Sequence, residues 1–136
     1  MFTLFYAGVL TLIALFLAFK TVQQRLGTGI LLGTGESFKL LQASRAHGNL
    51  IEYAVFFLIL TGLMEVSGQF SNITIGILGD IFILARISHA YGIFQTESSS
   101  LFRTIGAVAS MLVLLIQAVL ALWVSGAWLA ANNWGF

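Results

Sequence analysis

The sequence contains no cysteine and no proline, and only 8% of its 136 residues are charged. Without cysteine there is no disulfide, no thiolate metal site and no thiol nucleophile on the protein, so any sulfur chemistry must come from a ligand. Without proline no helix is kinked by a pyrrolidine ring. Six Lys and Arg against five Asp and Glu leave a net charge of +1. So few and scattered basic residues exclude a nucleic-acid surface. Two histidines without clustered carboxylates or thiolates make a poor metal site, and no metal is expected. What remains is apolar: 59% of the residues are hydrophobic, and the mean hydropathy is +0.99. In water such a chain would expose too much apolar surface, so it takes the lipid bilayer as its solvent.

A helical span of the roughly 30 Å hydrocarbon core needs about 20 residues. Four spans therefore use most of the chain, leaving short loops and no separate soluble domain. Residues 1–136 read as a single transmembrane domain. Met1 to Phe19 carries no charge, and Lys20 and Arg25 close this run before the four glycines of Gly27 to Gly35. Met1 to Ala18 lacks the basic lead and cleavage pattern of a secretory signal and reads as a retained first helix, about 2–23. Glu36 and Ser37 suit the start of a second helix, about 37–67, through capping and the helix dipole. A third, about 71–95, carries Asp80, Arg86 and His89 and gives way to the polar run Gln95 to Ser100. The last, about 101–130, has no charged residue or histidine beyond Thr104. A β-barrel would show alternating segments of about ten residues, whereas these runs are continuous and far longer. The fold class is all-α, an integral membrane four-helix bundle, and any site must be built between helices.

All six basic residues flank the first and third loops. The positive-inside rule places those two loops in the cytoplasm and both termini outside. Trp123, Trp128 and Trp134 fit an aromatic belt at the opposite interface.

Charges inside a span cost roughly 3 kcal/mol each or more, so they need partners or a purpose. In Arg45-Ala46-His47-Gly48-Asn49-Leu50-Ile51-Glu52-Tyr53, Arg45, Asn49 and Glu52 share one helix face at about 100° per residue, and Gly48 on the same stripe admits a close neighbour. Two readings stand side by side. In one, Arg45, Asn49 and Glu52 tie helices together through interhelical salt bridges and hydrogen bonds. In the other, they converge on a shared cavity that takes a zwitterionic peptide-like ligand, with Arg45 holding a carboxylate and Glu52 an ammonium. His47 lies away from this stripe and reads as structural or interfacial. On the third helix Arg86 and His89 share a face, and either can pair with Glu52. Arg103 is either a topology determinant or a fixed positive charge that lowers the pKa of a bound thiol, with Thr104 offering a hydroxyl to the same sulfur. Asp80 either pairs across helices or faces a polar crevice.

The segment 45–53, with its Arg-Ala-x-x-Asn-x-x-Glu core, resembles the second-helix signature of the membrane-associated proteins in eicosanoid and glutathione metabolism, the MAPEG family. Ala85-Arg86-Ile87-Ser88-His89-Ala90-Tyr91-Gly92 is similar to the third-helix motif of bacterial members, and Gly33-Thr34-Gly35-Glu36 to their first loop. The likeness covers essentially the whole chain. It implies a homotrimer in a bacterial inner membrane, with glutathione as co-substrate bound between subunits toward the cytoplasmic side. By position, Arg45, Asn49 and Glu52 hold the glutathione backbone, Arg86 and His89 contribute from the third helix, and Arg103 matches the thiolate-activating arginine. The chain departs from the pattern at Val55, where the enzymes often have proline, and at Ile93, Ala107 and Val108, near positions where eukaryotic enzymes place tyrosines.

Two functions are therefore carried forward. The first is a glutathione-binding membrane protein acting as transferase or peroxidase on lipophilic electrophiles. The second is a non-catalytic membrane protein of the same fold, whose polar seam serves trimer packing or binds another ligand.

Overall fold

The computed structural model of the chain describes residues 1–95, 98 and 100–135. Four long helices follow one another, α1 (Phe2–Thr28), α2 (Phe38–Ser67), α3 (Asn72–Gln95) and α4 (Leu101–Ala131), and a single 3₁₀ turn, Asn133–Gly135, follows the last. All four are long and apolar enough to cross a bilayer. The fold is an all-α bundle, and the chain is an integral membrane protein. The polar connection between α3 and α4 includes Thr96, Glu97 and Ser99, which lie outside the described residues.

Local chemistry sets the helix ends. α1 runs beyond residue 23 and passes through Gly27. It stops at Gly29, whose positive φ of 70° lets its N–H reach back to the Arg25 carbonyl at 2.9 Å. The Arg25 guanidinium then donates to the carbonyls of Leu31 at 2.9 Å and Gly33 at 3.1 Å, so the glycine-rich loop is folded around a helix-end arginine. Ser37 caps α2 by accepting from the Leu40 N–H at 3.3 Å. Ser100 does the same for α4, accepting from the Arg103 N–H at 3.2 Å.

α1 packs chiefly on α2, and α4 chiefly on α3; α2 and α3 also touch, whereas α1 and α4 do not meet. The four helices thus form a rhombus in section, with α2 and α3 on its short diagonal. Phe57 of α2 and Phe82 of α3 stack in parallel with ring centroids 4.0 Å apart, and Tyr6 of α1 sits edge-on to Phe57 at 6.0 Å. Close approach of α4 to α3 depends on glycine. A methyl on Gly106 would lie 2.5 Å from the Ala85 carbonyl oxygen and from the His89 nitrogen, and one on Gly92 would overlap the Arg103 backbone. Without a hydrophobic drive between helices in lipid, such small-residue contacts are what let the backbones pack. The outer surface is apolar on every helix, with Leu12, Leu63, Leu84 and Leu122 each more than 60% exposed, as a lipid-facing surface requires.

Candidate functional site

α2 buries Ala46, Leu50, Ala54 and Phe57 on its inner side. The polar stripe of the same helix therefore sits at and beyond the edge of the core. Arg45 and Glu52 are exposed, Asn49 is half-buried, and a Cβ added at Gly48 would meet nothing within 4 Å. Arg45 and Glu52 are separated by about 10 Å along the helix axis, from seven residues at 1.5 Å each. Among the described residues the one ion pair joins the Met1 ammonium to Glu65, and neither Arg45 nor Glu52 bridges helices there.

Asn49 turns the other way, into the bundle. Its Oδ1 accepts from the Arg86 Nη1 of α3 at 2.9 Å. Arg86 is 2% exposed, the largest fully buried side chain. Its Nη2 donates to the Gly106 carbonyl of α4 at 3.3 Å, and its guanidinium carbon lies 4.5 Å above the Tyr53 ring. Nε has no acceptor. One side chain thereby ties α2, α3 and α4 together through neutral acceptors and a π face. The sequence-based pairing of Arg86 or His89 with Glu52 is thus replaced by an Arg86–Asn49 bond, because the inner edge of α2 presents the amide to α3 while Glu52 faces outward.

His89 is buried one turn beyond Arg86, with the backbone of α4 at Gly106 against its own. Arg103 lies in the exposed first turn of α4. The Ser100 hydroxyl that caps this turn donates to the Gly92 carbonyl at 3.1 Å, which fixes the start of α4 against the end of α3. The six candidate residues thus fall into two sets. Asn49, Arg86 and His89 belong to the interior, while Arg45, Glu52 and Arg103 look outward. None of the six lines either of the two large clefts, of about 780 and 840 Å³.

Three polar arrangements lie outside the sequence reading or resolve it. Asp80 is matched within the chain by Tyr6, whose hydroxyl sits 2.9 Å from Asp80 Oδ1 and 2.8 Å from the Gly76 carbonyl. Glu65, near the end of α2, accepts from the N–H groups of Phe2 and Thr3 at 2.9 Å each and so satisfies the first turn of α1 from another helix. Gln117 of α4, fully buried, donates to the Thr61 hydroxyl of α2 at 2.8 Å. Glu65 had a signal in the sequence, as a lone acid near the end of an apolar span. Gln117 had the same signal, as the sole amide in the long apolar run of α4 up to residue 131.

The MAPEG family model matches residues 3–123 of the chain. The inner membrane protein YecN of Escherichia coli strain K12 is 29% identical over 118 residues, covering 87% of this chain and 88% of YecN. YecN of Escherichia coli O6:H1 matches over the same length with the same identity. No solved structure matches significantly. The family match spans nearly the whole bundle and includes the Arg45–Glu52 and Arg86–His89 segments, and on that basis the chain belongs to the MAPEG family.

Proposed function

We propose that the protein is a glutathione-binding member of its family that assembles as a homotrimer in a bacterial inner membrane and transfers glutathione to, or reduces hydroperoxides of, lipophilic electrophiles. One observation carries the reading. Arg45 and Glu52 stand exposed on the outer side of α2, and Glu52 lies near the middle of that 30-residue helix. A carboxylate there cannot face hydrocarbon without a cost of several kcal/mol. Covering by a neighbouring copy, with a polar ligand held in the seam, removes that cost.

The donor set suits the ligand. A guanidinium and a carboxylate with no ion-pair partner among the described residues match the carboxylate and ammonium of a zwitterionic tripeptide. Glutathione supplies the thiol that this cysteine-free chain lacks. Arg103, at the amino end of α4, adds its charge to the positive end of the helix dipole, and both favour thiolate over thiol. Asn49 and Arg86 act behind this surface: their hydrogen bond sets the rotation of α2 relative to α3 and with it the direction in which Arg45 and Glu52 point. The basic ends of the helices lie in the cytoplasm and the termini outside, following the distribution of Lys and Arg.

The second reading, a packing or binding role without chemistry, draws support from Ile93, Ala107 and Val108, which leave the neighbourhood of Arg103 without phenolic hydroxyls. Calorimetry with glutathione, followed by ultraviolet absorbance of the thiolate, separates the two. The first reading expects binding that Arg45→Ala weakens at least tenfold, and a thiolate signal that Arg103→Leu abolishes while binding persists. Absence of glutathione binding by the intact protein ends it. Loss of trimer in Glu52→Ala, with no glutathione binding in the parent, establishes the packing role.

A further inference from the structure

Toward the basic end of the bundle a cleft of about 780 Å³ lies between α1 and α3, lined by Ala43 of α2, by Leu12, Ile13 and Phe16 of α1 and by Ile87 and Ala90 of α3. Its lining is mostly apolar, and its polar members are Gln24, Gln42 and Tyr91 together with Lys20 and Lys39, which come to it from two different helices. Lys20 Nζ is held 5.5 Å from the centroid of the Phe16 ring, so its charge sits over the cleft. Lys39 stands in the first turn of α2, where the positive end of the helix dipole adds to its own charge. Among the described residues no carboxylate forms an ion pair with either ammonium. The wall residues Leu12, Phe16 and Ile87 are 48–69% exposed, which leaves the cleft open sideways to the surrounding lipid.

We infer that this cleft is a binding site for an anionic phospholipid, with the phosphodiester between Lys20 and Lys39 and one acyl chain laid along Leu12, Ile13, Phe16 and Ile87. The charge distribution favours a lipid over a second copy of the chain. All six Lys and Arg flank the first and third loops at this end, so seating one copy against another here brings like charges together, whereas an anionic headgroup neutralises them. Two ammonium groups on separate helices suit a group with two charged or polar oxygens, and the lateral opening suits a ligand that arrives from the membrane plane. The cleft shares no residue with the Arg45, Asn49 and Glu52 stripe, so the inference stands or falls independently of glutathione binding.

The test uses full-length protein in nanodiscs of phosphatidylcholine containing a small fraction of phosphatidylglycerol that carries a photoreactive diazirine in its acyl chain. Labelled peptides are identified by mass spectrometry, and unlabelled phosphatidylglycerol or phosphatidylcholine serves as competitor. The expected result is adducts on peptides containing Leu12 to Phe16 and Ile87 to Ala90. Phosphatidylglycerol should compete about ten- to thirtyfold better than phosphatidylcholine, as expected for two basic side chains near a membrane surface. In Lys20→Gln/Lys39→Gln that preference should fall to within about twofold of unity. Ala90→Phe, which fills the cleft and leaves both charges, should remove the cleft adducts. The proposal is overturned by equal competition from the two lipids, or by a preference that survives the double lysine variant. Adducts that persist in Ala90→Phe overturn it too, and so does the absence of adducts in the cleft, as a second copy seated there would cause.

Discussion

Exchanging Asn49 for Leu removes the one side-chain acceptor of a guanidinium that is 2% exposed. In Asn49→Leu, Arg86 keeps the Gly106 carbonyl at 3.3 Å and the face of Tyr53, while Nη1 exchanges its 2.9 Å bond for the residue-49 backbone carbonyl alone, at 3.5 Å, and Nε still has no acceptor. A hydrogen bond to a charged group contributes about 1.5–3 kcal/mol, so Asn49→Leu should destabilise the bundle by about 2 kcal/mol. Arg86→Met keeps most of the side-chain volume but strands the Asn49 amide, and should cost a similar amount. The Gly106 carbonyl is not orphaned, because the Ser110 hydroxyl donates to it at 2.7 Å. In Asn49→Leu/Arg86→Met both polar partners are gone and apolar atoms fill their place, so the double variant should be no worse than either single one, giving a coupling of about 2 kcal/mol. Reversible unfolding in mixed micelles, followed by circular dichroism without glutathione, reads folding alone. Additivity of the two single effects within about 0.5 kcal/mol would refute the assignment of Arg86 as an interior tie held by Asn49.

Gly106→Ala should force α4 off α3 and cost at least about 2 kcal/mol in the same assay, whereas Gly126→Ala on the same helix, with nothing within 4 Å of the added carbon, should leave stability unchanged. Gln117→Leu should cost about 1 kcal/mol by stranding the Thr61 hydroxyl, and adding Thr61→Val should recover most of it, since Gln117 Oε1 has no partner even in the parent. Glu65→Ala should raise amide exchange in the first turn of α1 by roughly fivefold, as for the loss of a capping side chain, with α3 unaffected; unchanged exchange at Phe2 and Thr3 would remove Glu65 as their acceptor.

What the sequence determined by itself is the scale and character of the chain. Long apolar runs, with polar and glycine-rich breaks between them, dictate spanning helices, because a bilayer leaves no other place for so much hydrocarbon and requires backbone groups to bond within the segment. Ser37 and the arginines at the helix ends were legible for the same local reasons, and the Arg45 to Glu52 spacing carried the family.

Tertiary structure alone decided which neighbour each polar group meets. In a lipid-facing bundle the outer surface is as apolar as the core, so periodicity does not say which side of a helix is inside: Leu12 is 69% exposed and Leu10 3% on the same apolar helix. The stripe on α2 was visible in the spacing, but its division was not. Asn49 turns to the buried Arg86 while Arg45 and Glu52 stay outside, because the rotation of α2 is fixed by aromatic stacking and buried hydrogen bonds with the other helices.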